Sequence, residues 1–135
     1  MPNRWLFKTE PTAYSFQDLT RDKRTVWDGV KNNLALKHLA GIKKGDEIFI
    51  YHTGDEKAVV GTARASSGAF PEAGKDPKLL VVAIEAGKPL ARPVPLAEVK
   101  AQAHLKSFDL VRLPRLSIMP VNEEQWRAIE DLAEK

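Results

Sequence analysis

The chain has 135 residues, no cysteine and a net charge of +3. That length supports a single domain over residues 1–135 with a core of its own, and the missing cysteines exclude disulfides, thiolate metal sites and a cysteine nucleophile. No stretch approaches the roughly 20 apolar residues of a membrane span, so a soluble, cytoplasmic protein with no membrane partner is expected.

Residues 4–9 read as a strand that Pro11 ends, with Trp5 and Phe7 on one side and Leu6 and Lys8 on the other. Ser15-Phe16-Gln17-Asp18 has the form of a helix start: Ser15 is placed to cap, and Asp18 sits favourably in the first turn. Trp27 lies just before a polar loop, Asp28-Gly29-Val30-Lys31-Asn32. A second helix is expected from about Asn33, carrying Leu34, Ala35, Leu36 and Leu39 and stopping at Gly41. Asn32 and Asn33 compete there for two roles, helix cap and polar ligand.

Lys43-Lys44-Gly45-Asp46 is a turn, and Glu47 to His52 an apolar strand. Gly54-Asp55 turns the chain into a further strand, Ala58 to Arg64, and a loop runs on to Pro77. Leu79 to Ile84 is nearly continuously apolar, as in a strand buried on both faces. Pro89, Pro93 and Pro95 are expected to forbid regular pairing beyond it. Leu96 to Lys100 reads as a helical turn, Phe108 to Leu113 as a strand or extended segment, and Leu116 to Met119 as a strand. The last element is an amphipathic helix: Asn122 caps it, Gln125 completes a capping box, and Val121 and Trp126 occupy the staple positions.

This helix also concentrates acid. Residues 121–135 carry a net −3, leaving +6 on residues 1–120. A basic body suits a polyanion, because neutralising phosphates releases counterions, and it equally suits a plain solvated lysine surface. Short strands broken by turns, with small helices between, describe an α+β domain on a small barrel-like sheet.

Catalytic and metal chemistry find little support. His38, His52 and His104 share no metal-ligand spacing. Ser15, His52 and Asp28 could be drawn as a triad, but no Gly-x-Ser-x-Gly elbow accompanies them and no Gly-rich phosphate loop exists. The aromatic set remains. Trp126 belongs to the core by its helical period, and Trp5 serves the core or a ligand. Trp27, before its polar loop, is placed to line a cleft, where stacking on a base is worth roughly 1–3 kcal/mol.

Five segments in order now carry a resemblance: Trp5-Leu6-Phe7-Lys8-Thr9-Glu10-Pro11; Tyr14-Ser15; Trp27-Asp28-Gly29-Val30 with Asn32; Gly45-Asp46 with Tyr51-His52; and Arg115 to Val121. Together they resemble the EVE domain family. The resemblance implies an α+β, PUA-like pseudobarrel of mainly antiparallel, strongly bent strands, with short flanking helices and a C-terminal amphipathic helix. It also implies non-catalytic binding of an extruded modified base, modified cytosine in DNA first and a modified RNA base second, without cofactor or metal.

By that analogy Trp27 walls a base pocket with Lys8, Thr9, Ser15, Asp28, Val30, Asn32, Tyr51 and His52, while Lys31 and Arg115 contact phosphates. Substituting Trp27→Ala is then expected to abolish binding without unfolding the domain. This chain departs from the family in three places: Leu36 replaces a frequent arginine, Phe70-Pro71-Glu72 replaces Tyr-Pro-Asp, and the Leu79–Ile84 strand lacks its opening tryptophan. The rival reading is a module whose cleft takes a peptide or small ligand and no nucleic acid.

Overall fold

The computed structural model describes residues 3–135. The described residues form seven strands and five α-helices, in chain order β1 Arg4–Thr9, α1 Phe16–Asp22, β2 Arg24–Trp27, α2 Asn33–Ala40, β3 Glu47–His52, β4 Ala58–Ala65, β5 Phe70–Pro71, β6 Leu80–Pro95, α3 Leu96–Lys100, α4 Asp109–Arg112, β7 Ile118–Pro120 and α5 Glu123–Ala133. The main sheet runs in the order β2-β6-β4-β3-β1-β7, and β5 pairs with β6 off this path. Among the described residues only β1 and β3 run parallel; the other pairings are antiparallel.

Three strands separate β2 from β1 in that order, yet the Trp27 ring centroid on β2 lies 5.3 Å from that of Phe7 on β1. A flat sheet would hold them more than 15 Å apart at about 4.8 Å per strand. The sheet is therefore strongly curled, and its concave side encloses Phe7, Ile50 and Ile84, while Phe49 and Met119 share the opposite face with Leu6; all are buried. The mixed fold is a curled half-barrel with short helices packed around it.

The curl places β1 at the centre. It is flanked by β3 and β7, so Trp5, Leu6 and Phe7 are all buried and the strand does not alternate. The caps form as the residue types dictate. Ser15 accepts from the Asp18 amide at 3.0 Å while Asp18 accepts from the Ser15 amide at 2.9 Å. Asn122 and Gln125 close the same reciprocal box on α5 at 2.8 and 3.0 Å. Trp126 stacks on Phe49 with centroids 3.6 Å apart, docking α5 on the sheet.

Three elements differ from expectation. Strand β6 continues through Pro89, Pro93 and Pro95 to residue 95. Beyond Glu85 it has lost β2 and pairs with β4 alone, through shifted register at Val59 and Gly61; an edge with bulges tolerates residues that lack an N–H. Phe108 to Leu113 is neither strand nor extended: residues 109–112 form α4, with Asp109 in its first turn paired to Arg112 at 2.8 Å. The third is β2, which the sequence hides because only Trp27 of its four residues is buried. Among the described residues, no helix is long and apolar enough to cross a membrane.

Candidate nucleic-acid interface

The C-terminal end of β1 opens into a cleft of about 540 Å³. Lys8, Thr9 and Glu10 form one wall, the loop residues Ala13 and Tyr14 a second, and Thr25, Val26, Trp27 and Asp28 the third. The curl of the sheet creates it by bringing the last residues of β1 and β2 face to face. Trp27 is held on two sides, tilted against Phe7 and edge-on to Tyr14 with centroids 6.2 Å apart at 83°. Only 9% of its surface stays accessible. Among the described residues its indole N–H has no hydrogen-bond partner, and no fully buried side-chain nitrogen or oxygen lacks one, so the N–H keeps contact with solvent.

The polar groups around Trp27 are fixed from behind. Thr9 donates its hydroxyl to the Tyr14 carbonyl at 2.7 Å, which ties the loop to β1 and leaves the oxygen free to accept. Tyr14 donates its own hydroxyl to Asp22 at 2.9 Å; burial and that carboxylate raise its pKa. Lys8 donates to the Pro114 carbonyl at 2.9 Å and sits 5.5 Å from the centre of the Tyr51 ring. Burial holds its ammonium below the ordinary lysine range.

Of the residues singled out from sequence, the structure brings Trp27, Lys8, Thr9 and Asp28 together in this cleft. Ser15 stands at the N-cap of α1, its hydroxyl engaged by Asp18. Val30 is packed into the core. Asn32 takes the cap of α2, accepting from the Ala35 amide at 3.0 Å, and lines a separate depression of about 300 Å³ with Arg115. Lys31 is exposed beside it.

The Tyr51–His52 strand end does not line the cleft. His52 is buried, with Nε2 accepting from the Phe16 amide at 2.9 Å and Nδ1 donating to Glu56 at 2.7 Å. It anchors α1 beneath the cleft, and Phe16 beside it lies over Gly61, where a Cβ would meet the ring at 2.4 Å. Tyr51 opens on a second cavity, on the far side of Lys8. The expectation for Trp27→Ala also needs correction. A ring this buried leaves a void when truncated, at a cost of about 3–5 kcal/mol.

Sequence reasoning missed Tyr14, Thr25 and Val26 as cleft residues. Tyr14 carried a signal, its place in the recognised motif; Thr25 and Val26 become visible only once β2 is known to be an edge strand. Among the described residues there is no group of three or more His, Asp or Glu that could hold a metal.

Comparison with known proteins fits this architecture. The EVE domain model matches residues 3–132. Thymocyte nuclear protein 1 of Homo sapiens is 29% identical across 100% of this chain and 76% of its own length; the Mus musculus protein is 31% identical across 99% and 75%. A solved structure from Rhodopseudomonas palustris superposes with a TM-score of 0.92 at 33% identity, covering 98% of this chain and 93% of that one. The human THYN1 protein, solved in complex with 5-methylcytosine-containing DNA, superposes with a TM-score of 0.91 at 30% identity over 98% of each chain. An ASCH protein of Zymomonas mobilis, at 15% identity and a TM-score of 0.59, shares the fold alone. This chain belongs to the EVE domain family.

Proposed function

We propose that this protein is a non-catalytic reader of modified cytosine in DNA, holding one extruded base in the Trp27 cleft. The observation that carries the reading is the cleft itself: an aromatic wall with an accessible N–H, flanked by donors and acceptors whose backbones are tied in place. Its chemistry suits a cytosine edge. Lys8 and the Trp27 indole can donate to the ring nitrogen and carbonyl, while Thr9 and Asp28 can accept from the exocyclic amine.

A 5-substituent needs apolar cover, and Val26 supplies it. This residue lines the cleft with 45% of its surface exposed, among the few large apolar side chains left open to water. Extruding a base costs a few kcal/mol, and stacking on an aromatic returns about 1–3 kcal/mol. Small extra contacts to a methyl group therefore tip the balance. The DNA complex of the human relative favours DNA over RNA as the polymer.

The test is a fluorescence titration of the protein with otherwise identical duplexes carrying cytosine, 5-methylcytosine, 5-hydroxymethylcytosine or N6-methyladenine. Tighter binding of a modified cytosine, with recovery of the unaltered oligonucleotide afterwards, is expected. Equal affinity for all four would overturn the reading. Binding insensitive to salt would move the cleft to a peptide or small ligand.

A further inference from the structure

The second cavity, about 240 Å³, adjoins the base cleft and shares Lys8 with it. Its remaining walls include Tyr51, Thr53, Lys57, Lys100 and Pro114. Three lysines thus converge on one depression, from β1, the β3–β4 turn and the end of α3. Among the described residues, none of the three ammonium groups pairs with a carboxylate. Of the neighbouring acids, Glu98 is engaged with Arg92, Glu56 with His52, and Glu10 with the hydroxyls of Thr12 and Thr53; Asp55, in the same turn as Lys57, is the charge that a bound anion has to tolerate.

Two further observations point to an anion. Tyr51 is only 3% exposed, yet among the described residues its hydroxyl has no hydrogen-bond partner. Among the described residues no fully buried polar side-chain atom is unpartnered, so that hydroxyl opens onto the cavity as a free donor. Lys57 has a φ of 45°, a left-handed conformation that costs an L-residue about 1 kcal/mol or more. Its carbonyl is tied to the Leu96 amide at 2.8 Å, which fixes the turn against α3. A glycine would meet this turn without strain; a lysine there brings charge to the cavity.

We infer that this cavity is a phosphodiester subsite: it takes the backbone phosphate flanking the extruded base, with Lys57, Lys100 and the Tyr51 hydroxyl donating to its oxygens and Lys8 bridging phosphate and base. The inference rests on the reading of the cleft as a base pocket and deepens it. It assigns the backbone path to β3, the β3–β4 turn and α3, in addition to Lys31 and Arg115. Contacts of this kind position the strand and carry no sequence information.

The probe is a duplex with a single 5-methylcytosine, titrated across a range of potassium chloride concentrations, beside its unmodified twin. The double variant Lys57→Gly, Lys100→Gln is expected to flatten the slope of log K against log salt by about 1.8, two contacts at about 0.9 each. Affinity for both duplexes should fall by the same factor, so the preference for the modified base is kept. Lys57→Gly relieves the left-handed strain and adds the backbone entropy of a glycine, two opposed effects of about 1 kcal/mol, so the variant should unfold close to the parent, and loss of binding is then not loss of fold. Tyr51→Phe keeps the ring and removes the donor. It should weaken both duplexes about tenfold with the slope unchanged, since a neutral group releases no counterion. Parent protein that binds while the double variant keeps the parental slope would overturn this subsite alone. Parent protein that binds neither duplex would overturn the base-reader assignment and this inference with it.

Discussion

The two ends of β1 are built from the same kinds of residue and do opposite things. At the N-terminal end, Trp5 donates its indole N–H to Asp46 at 2.9 Å, and Asp46 also accepts from the Asn3 and Lys43 amides at 3.0 and 2.9 Å. The carboxylate is buried, and each of its partners is supplied by the chain. At the C-terminal end, Trp27 keeps an N–H in contact with solvent and Thr9 keeps acceptor capacity. A tryptophan beside charged and polar groups is therefore no evidence of a binding site. What separates the two ends is whether the polar groups are used up within the fold.

The comparison is broken most forcefully at its closed end. Asp46→Ala leaves three donors without their acceptor, each costing about 1–3 kcal/mol when buried. A loss of about 3 kcal/mol or more in urea-unfolding free energy is expected, with DNA affinity unchanged wherever the variant is folded. A mild effect would mean that water replaces the carboxylate and that the end is less closed than its geometry shows.

At the open end the effects move to binding. Trp27→Leu retains apolar bulk against Phe7 and removes the stacking surface. Affinity for a modified duplex should drop by about 5- to 150-fold, the equivalent of roughly 1–3 kcal/mol of stacking. Chemical denaturation must accompany the titration, because Trp27 also supports the core. A variant that is destabilised but binds like the parent would reduce Trp27 to a structural residue like Trp5.

Those two ends also show how far the sequence could be read. Strands β1, β3 and β4, the caps of α1 and α5, and the burial of Trp126 follow from local patterns, and they appear where spacing and residue type put them. The cleft is legible only in part, since it depends on how far the sheet curls. Lys8 and Thr9 could be assigned because they end a strand before a proline. Tyr51 and His52, paired with them in register on β3, stay outside the cleft: Tyr51 opens with Lys8 on the second cavity and the His52 ring is spent on Phe16 and Glu56, long-range contacts that no local pattern reveals. Asn32 illustrates a different limit: cap and ligand call for the same side chain, and the helix claims its oxygen. The α4 helix was hidden because four apolar residues in six, Phe108, Leu110, Val111 and Leu113, suit a strand as well as a short helical turn.

Lys8 gives a smaller effect with opposite signs in the two assays. Its pKa is lowered by burial, so the folded state disfavours its charge. Stability should therefore rise with pH as the folded-state lysine loses its proton, up to the unfolded lysine range near 10.4. Lys8→Met should flatten that alkaline rise in melting temperature and be neutral or stabilising at pH 7, while lowering DNA affinity and the salt slope. A variant less stable than the parent would show that the contacts with Pro114 and Tyr51 outweigh burial.

The smallest effect tests the rim of the open end, where the Ser15–Asp18 box sets the entry angle of α1 and hence the Tyr14 loop. The Ser15 amide is the largest cause holding the Asp18 carboxyl below the ordinary carboxylate range; Arg21 adds to it. A folded-state pKa below the unfolded value means that protons favour the unfolded chain. The contribution is thus present above about pH 4 and lost as pH falls through and below it. Asp18→Asn removes the ionisation while keeping an acceptor for the Ser15 amide. Its melting temperature should fall less steeply than the parent's below pH 4, with affinity at pH 7 nearly unchanged. A marked loss of affinity at neutral pH would show that the charge of the rim, and not only its shape, belongs to the open end of β1.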